Sequence, residues 1–283
     1  LWSGDARLFI AIIKKYEDIW NVDHDTEVAS VRTILLVEDS VRFISLYLPL
    51  LYTILVKQTQ LLMDEGVNLA GRLLRLRARP KVLVARTYEE GRDLYERYRP
   101  YLLGVISDLN FPREGEKDGR AGLEFLLHVR EDDPFLPVLL QSSNEDAVHL
   151  AHDADLHFIN KRSRKLLKEV KRFIEQHFGF GDFVFRHPDA SEWGRARNLR
   201  ELEEALLRIP DECLRFHSSR NDFSNWLRAR TEFGLAQHIR PFQIEDFDSI
   251  ESLRRYLRDT LRSHRKESQQ GVITDFSPNR FDE

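Results

Sequence analysis

Cysteine, methionine and a strong charge of one sign are all scarce in this sequence. There is one cysteine, Cys213, among 283 residues. A disulfide framework within the chain is excluded, and a cysteine-based zinc site is argued against. A reducing cytoplasm is the expected compartment. The 43 basic and 47 acidic residues leave a net charge of -4, which lacks the basic excess of a protein that coats nucleic acid. Long apolar runs are also missing. The nearest, Phe43 to Val56, is fourteen uncharged residues interrupted by Pro49, whereas a membrane-spanning helix needs about 20. No membrane partner is expected. The opening LWSGDARLFIAIIKKYED carries charges through its apolar positions, unlike a signal peptide. It begins without methionine, and the start is expected to be a cut inside a longer protein. Internal repeats, low-complexity tracts, a P-loop and a dinucleotide-binding glycine motif are all absent.

What is present is a core-forming composition, 42% hydrophobic and 32% charged. That is too apolar for a disordered chain and enough for one or two domains. Five short apolar runs stand out: Thr33 to Val37, Lys81 to Ala85, Leu102 to Ile106, Pro137 to Leu140, and Leu156 to Ile159. Runs of this kind suit strands buried on both faces of a parallel sheet. Helical patterns separate the later ones, at Tyr88 to Tyr98, Arg120 to Arg130, Asn144 to His152 and Arg164 to Phe178. The alternation predicts an α/β domain with a doubly wound, five-stranded parallel sheet. A further helix is expected at Leu8 to Trp20, followed by a polar linker, Asn21 to Ser30.

The interval Ser40 to Pro80 is longer than a crossover requires. It reads as helix except at Pro49, Gly66 and Gly71, with a broad apolar side that includes Leu50, Leu51, Ile54, Leu55, Leu69, Leu73 and Leu74. An extended first helix or helical hairpin is expected. It either packs on its own domain or serves as an arm for homodimerisation or coupling. The basic run Arg72 to Lys81 reads as a solvated helix face.

After Phe178 the pattern changes. Gly179, Gly181 and the polar stretch His187 to Gly194 mark a boundary that holds a short strand, Phe183 to Phe185. Helices follow at Leu199 to Ile209, at Phe223 to Ile239 with Asp222 as cap, and from Ser249 to about Lys266. The expected organisation is therefore 1–30 helix and linker, 31–179 α/β domain, 180–270 mainly helical coupling domain, and 271–283 tail or linker.

Chemistry-bearing residues fall at strand ends. Glu38 and Asp39 follow the first run, Asp108 the third, Ser142 the fourth and Lys161 the fifth. In an open α/β sheet the ligand crevice lies outside the carboxyl ends of the strands. Three carboxylates repel one another, and a bound cation relieves that repulsion. Oxygen ligands favour magnesium. A carboxylate can attack phosphorus, a lysine ammonium can neutralise the transferring oxygens, and a serine hydroxyl can donate to the new group.

At ILLVEDS (34–40), VISDLNFP (105–112), PVLLQSS (137–143) and FINKRS (158–163), the sequence resembles the receiver domain of two-component response regulators, over roughly Arg32 to Phe178. The resemblance implies a flavodoxin-like sheet of order 2-1-3-4-5. It implies Asp108 as phosphoacceptor, and Mg2+ held by Glu38, Asp39, Asp108 and the backbone carbonyl of Asn110. Ser142 and Phe158 take the switch positions, and Lys161 pairs with the phosphoryl group. The implied partner is a sensor histidine kinase or phosphotransfer protein. Three features depart from the pattern: Arg162 stands where receivers carry proline, the loop Arg113 to Gly119 is long and charged, and the first crossover is extended.

The opening segment is similar to the final helix and exit linker of a preceding receiver-like domain. The stretch FHSSRNDFSNWLRARTEFGLAQHIRP (216–241) resembles the N-terminal portion of long bacterial proteins that continue into a pyruvate phosphate dikinase or phosphoenolpyruvate synthase module. That resemblance implies a regulatory region, itself not an enzyme, with the catalytic module beyond Glu283. Two other readings stay open. One is a receiver-like assembly module that is not phosphorylated. The other is a DNA-binding response regulator, which the acidic residues Glu201, Glu203, Glu204 and Asp211 in its would-be reader helices argue against.

Overall fold

Five apolar segments, β1 (Thr33–Val37), β2 (Lys81–Ala85), β3 (Leu102–Asp108), β6 (Val138–Ser142) and β7 (His157–Asn160), form one parallel sheet in a computed structural model of the chain. The structure describes residues 6–64 and 78–273. Strand order is β2-β1-β3-β6-β7, the 2-1-3-4-5 order expected once a small hairpin of β4 (Phe111–Arg113) and β5 (Glu116–Asp118) is set aside. That hairpin occupies the stretch read as a long charged loop. The fold is thus α/β and flavodoxin-like, with an additional helical region.

Burial on both faces explains the unbroken apolar runs. All five residues of β1 are buried, and successive side chains point to opposite faces. Leu35 and Val37 join Val105, Tyr95, Phe125 and Leu126 on one side. Ile34 and Leu36 join Ile106, Tyr47, Leu51, Leu55 and Ile174 on the other. The first side is covered by α3 (Tyr88–Tyr98) and α4 (Ala121–Asp132), the second by α2 (Val41–Asp64) and α6 (Leu166–His177). The short α5 (Ala147–Asp153) lies between β6 and β7 in the chain. Thr87 caps α3 by accepting the Glu90 N–H, as a threonine at that position should.

Two sequence expectations change here. The first helix, α1 (Arg7–Ala29), runs on through the stretch Asn21 to Ala29 that was read as linker. The reason is tertiary. Asp18, fully buried, accepts from Arg79 Nη2 (2.5 Å), the Val82 N–H (2.9 Å) and Tyr52 Oη (2.9 Å), while Lys81 reaches Asp25 at 2.6 Å. These bonds dock the helix on α2 and β2, and Val22 and Thr26 are buried with it. Pro49, expected to interrupt, lies inside α2. Its ring forfeits one helical N–H donor, but Tyr47, Leu48, Leu51, Ile54 and Leu55 around it are buried. By length and composition Val41–Met63 is apolar enough to cross a membrane, although 44% of its 18-residue apolar stretch is buried within the protein. The further part of the expected arm, 65–77, lies outside the described residues, as does the tail 274–283.

The chain divides into two units, Leu1–Phe180 with Arg228–Thr231, and Gly181–Leu227 with Glu232–Glu283. The second contains a hairpin of β8 (Phe183–Arg186) and β9 (Glu192–Ala196), the latter starting in the expected boundary stretch and running two residues past it. Helix α7 (Leu199–Ala205) stops before Ile209, and α8 (Asp211–Ser218) was not anticipated. The single helix expected over Phe223 to Ile239 is two, α9 (Asp222–Ala229) and α10 (Phe233–Ile239), broken where Thr231 takes φ 65°. The last helix is α11 (Ile250–Ile273). Phe183, Phe185, Leu214, Phe223, Trp226 and Leu257 share one core.

In this unit His264 Nε2 lies 2.9 Å from Glu232 Oε2, and that carboxylate raises the histidine pKa above its usual value near 6.5. A raised histidine contributes stability that is complete below its unfolded pKa and lost as pH climbs through the folded one. His264→Gln should therefore cost a fraction of ~1 kcal/mol at pH 5.5 and almost nothing at pH 9, since the pair is partly exposed. Urea melts at both values check this; an equal loss at each pH would refute the ion-pair account.

Candidate functional site

The carboxyl ends of β1, β3, β6 and β7 meet at one rim, and each delivers a polar side chain. Glu38 follows β1, Asp108 closes β3, Ser142 closes β6 and Lys161 follows β7. Glu38 is fully buried. Its carboxylate accepts from Lys161 Nζ at 2.5 Å and from the Ser40 N–H at 3.1 Å. The same ammonium lies 2.9 Å from Asp108 Oδ1 and 4.3 Å from the centre of the Phe43 ring. Asp108 also accepts the N–H of Leu109 at 2.9 Å. Asp39 is half-buried and pairs with Lys117 Nζ at 3.0 Å.

Burial sets the electrostatics. It pushes Glu38 up to about 7 despite the pull of Lys161, and the nearby Asp108 charge adds to the rise. Asp108 is raised for the same first reason, with Lys161 again opposing. The Tyr47 phenol is held protonated by burial and by both carboxylates. Negative charge is thus crowded into a poorly solvated site, and the two lysines, Lys161 and Lys117, cannot balance three acids.

That imbalance is what a divalent cation would relieve. Glu38, Asp39 and Asp108 each offer an oxygen, and these atoms lie within 4.8 Å of one another. A set made only of hard oxygens suits magnesium, calcium or manganese, so the residues present fit the expected ion class without selecting among its members. Asn110 lines the same opening as Asp39 and Asp108.

Ser142 lines that opening too, and its Oγ accepts the Asn144 N–H at 3.0 Å. Phe158 does not line it. It pairs in register with Leu140 and packs, partly buried, against the core. Arg162 borders the opening.

Three contributors were not singled out from sequence. Lys117, on the β4–β5 hairpin, reaches Asp39; the charged loop was its only signal. Tyr47 and Gln141 are buried beneath the carboxylates, and nothing in their sequence spacing distinguishes them from core. The Gln141 amide lies against the Tyr47 phenol, and both are cut off from solvent. Gly122 is a fourth local requirement, because a Cβ there would overlap the backbone carbonyl of Asp108 and press on Leu109.

No family model matches the chain, and the curated proteins give no significant match. Solved structures do match, and they are response regulator receiver domains covering about half of the chain. One, from Clostridium thermocellum, is 18% identical, covers 51% of this chain and 91% of its own, and has a TM-score of 0.32. A phosphorylated cyanobacterial phytochrome response regulator is 19% identical over 58% of this chain and 99% of its own, with a TM-score of 0.34. The manganese-bound form of a response regulator is 20% identical over 51% and 92%, with a TM-score of 0.31.

Two outcomes follow from the geometry. Lys161→Met strands a buried carboxylate and should cost about 3 kcal/mol in urea unfolding at pH 8; unchanged stability would show that the ammonium does not hold the site. Gly122→Ala should displace Asp108 and weaken manganese binding, measured by paramagnetic broadening, at least tenfold. Binding equal to that of the parent chain would remove Gly122 from the site.

Proposed function

We propose that the first unit is a phosphoacceptor module of the response-regulator type, in which Asp108 receives a phosphoryl group. The observation that carries this reading is the joining of Asp108 and Glu38 by one ammonium, with Asp39 beside them. In the proposed step an Asp108 carboxylate oxygen attacks phosphorus. The bond from phosphorus to the donor breaks, and its electron pair leaves with the donor, the imidazole of a phosphohistidine in a sensor kinase or phosphotransfer protein. An acyl phosphate results. Lys161 offsets the growing negative charge on the phosphoryl oxygens. A divalent cation, Mg2+ in our reading, would be held by Glu38, Asp39, Asp108 and the Asn110 carbonyl, and would supply further charge neutralisation.

The product adds roughly -1.5 to -2 of charge to an opening already rich in carboxylates. We assign the response to Ser142, whose hydroxyl can turn from Asn144 to the new oxygens, and to Phe158 as the aromatic switch. We assign the module to the cytoplasm and its output to an attached or partner module. The similarity of 216–241 to the N-terminal portion of phosphoenolpyruvate synthase-like proteins supports an enzyme of that class as the target. The chain itself is then regulatory, not an enzyme.

Acetyl phosphate with Mg2+ tests the reading without a cognate kinase. Intact mass should rise by one phosphoryl group in the parent chain, should not change in Asp108→Asn, and should fall at least tenfold in extent in Lys161→Ala. A folded, metal-supplied parent that stays unmodified by acetyl phosphate, phosphoramidate and beryllofluoride would favour the unphosphorylated assembly module instead.

A further inference from the structure

The β4–β5 hairpin begins at Phe111, just beyond Asp108, and both of its feet are tied to the rim of the sheet. The Leu109 N–H donates to the Gln141 carbonyl at 2.8 Å, and the Gly122 N–H to the Leu109 carbonyl at 2.9 Å. Its turn is tight. Glu114 and Gly115 take φ 52° and 85°, the positive values that a two-residue type I′ turn requires. In the antiparallel register Phe111 pairs with Asp118, Pro112 with Lys117 and Arg113 with Glu116, and alternate pairs point to opposite sides of the ribbon. One side is pinned. Phe111 is fully buried, and Arg113 reaches Glu124 at 2.6 Å and lies 4.3 Å from the centre of the Tyr88 ring. At the turn the Glu114 N–H donates to Glu89 at 2.9 Å. The other side of the ribbon carries Lys117, whose ammonium lies 3.0 Å from Asp39 Oδ2.

The two lysines of the site are held differently. The Lys161 side chain is 2% exposed and is shared between Glu38 and Asp108. The Lys117 side chain is 64% exposed, and among the described residues Asp39 is its one acidic partner. A buried pair is costly to break, whereas an exposed pair is worth little and opens readily. Charge points the same way. With all three acids ionised, Lys161 and Lys117 leave one negative charge, and a divalent cation in place of Lys117 brings the group to neutrality. Asp39 supplies one of the three oxygens that lie within 4.8 Å of one another, so the ammonium and such an ion claim the same carboxylate.

We propose that Lys117 is an exchangeable counter-ion of Asp39, displaced when a divalent cation binds, and that the hairpin thereby sets the affinity of the cation site. This rests on the reading of Glu38, Asp39 and Asp108 as a divalent-cation site, but not on phosphorylation of Asp108. The pinned ribbon keeps the ammonium beside Asp39 at a high effective concentration. It competes by charge and not by ligand geometry, so it weakens Mg2+ and Mn2+ by the same factor. Lys117 acts through Asp39 and is a positioning residue.

Electron paramagnetic resonance of free Mn2+ gives the dissociation constant for the full chain, and Mg2+ follows by competition. Lys117→Gln should tighten both ions roughly fivefold, the weight of an exposed pair, with the urea midpoint unchanged. Lys117→Arg keeps the competing charge and should stay within about twofold of the parent. Arg162→Gln removes a cation that borders the same opening without pairing with Asp39, and should also change binding by less than about twofold. Equal or weaker binding in Lys117→Gln would overturn the proposal and leave the cation site standing. So would a gain in Arg162→Gln as large as that in Lys117→Gln, which would reduce the effect to the general field of the opening. Folded parent and Lys117→Gln chains that both ignore millimolar Mn2+ would remove the cation site itself, and the proposal with it.

Discussion

One ammonium holds the rim of the sheet together. Lys161, placed after the last strand, lies between Glu38 after the first and Asp108 at the end of the third. A buried carboxylate without a counter-charge costs several kcal/mol, so the strand ends are tied by charge as well as by the sheet. The cost is only partly offset. Glu38 is still pushed up to about 7, and Asp39 draws Lys117 from the hairpin. A site left with excess negative charge and a cation beside its most central acid is suited to a divalent ion and then to an anionic group. The phosphoacceptor reading rests on that balance.

A second buried charge does comparable work at the other end of the sheet. Asp18 sits in the middle of a helix, where an acid normally faces water, and is instead held by an arginine, a tyrosine and a backbone N–H. These bonds fix the rotation of α1. The side of the helix that faces α2 and β2 is thus the consequence of where one carboxylate found its partners.

Much of the fold was legible from local pattern. The runs at 33–37, 81–85 and 102–106 read as strands because residues buried on both faces leave no polar alternation to obscure them. Glu38, Asp39, Asp108, Ser142 and Lys161 were legible because each closes such a run. Other features were not. The helix through Asn21 to Ala29 looks polar, and it is helical because Lys81 and Arg79, far along the chain, neutralise its acids. Pro49 breaks helices in isolation, yet the burial of Tyr47, Leu48 and Leu51 around it outweighs one lost hydrogen bond. Thr231 in the left-handed region splits a continuous helical pattern, and neither its residue type nor its neighbours announces that conformation.

The sequence alone determined the five strands of the parallel sheet, the strand ends as the place for chemistry, and the residue types gathered there. Those are properties of neighbours in the chain, and short-range periodicity records them. Tertiary structure decided which charges meet: Lys161 with Glu38 across 123 positions, Lys117 with Asp39, and Arg79 with Asp18. It also decided which face of α1 is spent. Partnerships of that kind arise only when distant elements are brought within a few ångströms and out of water, where an unpaired charge becomes too costly to leave alone.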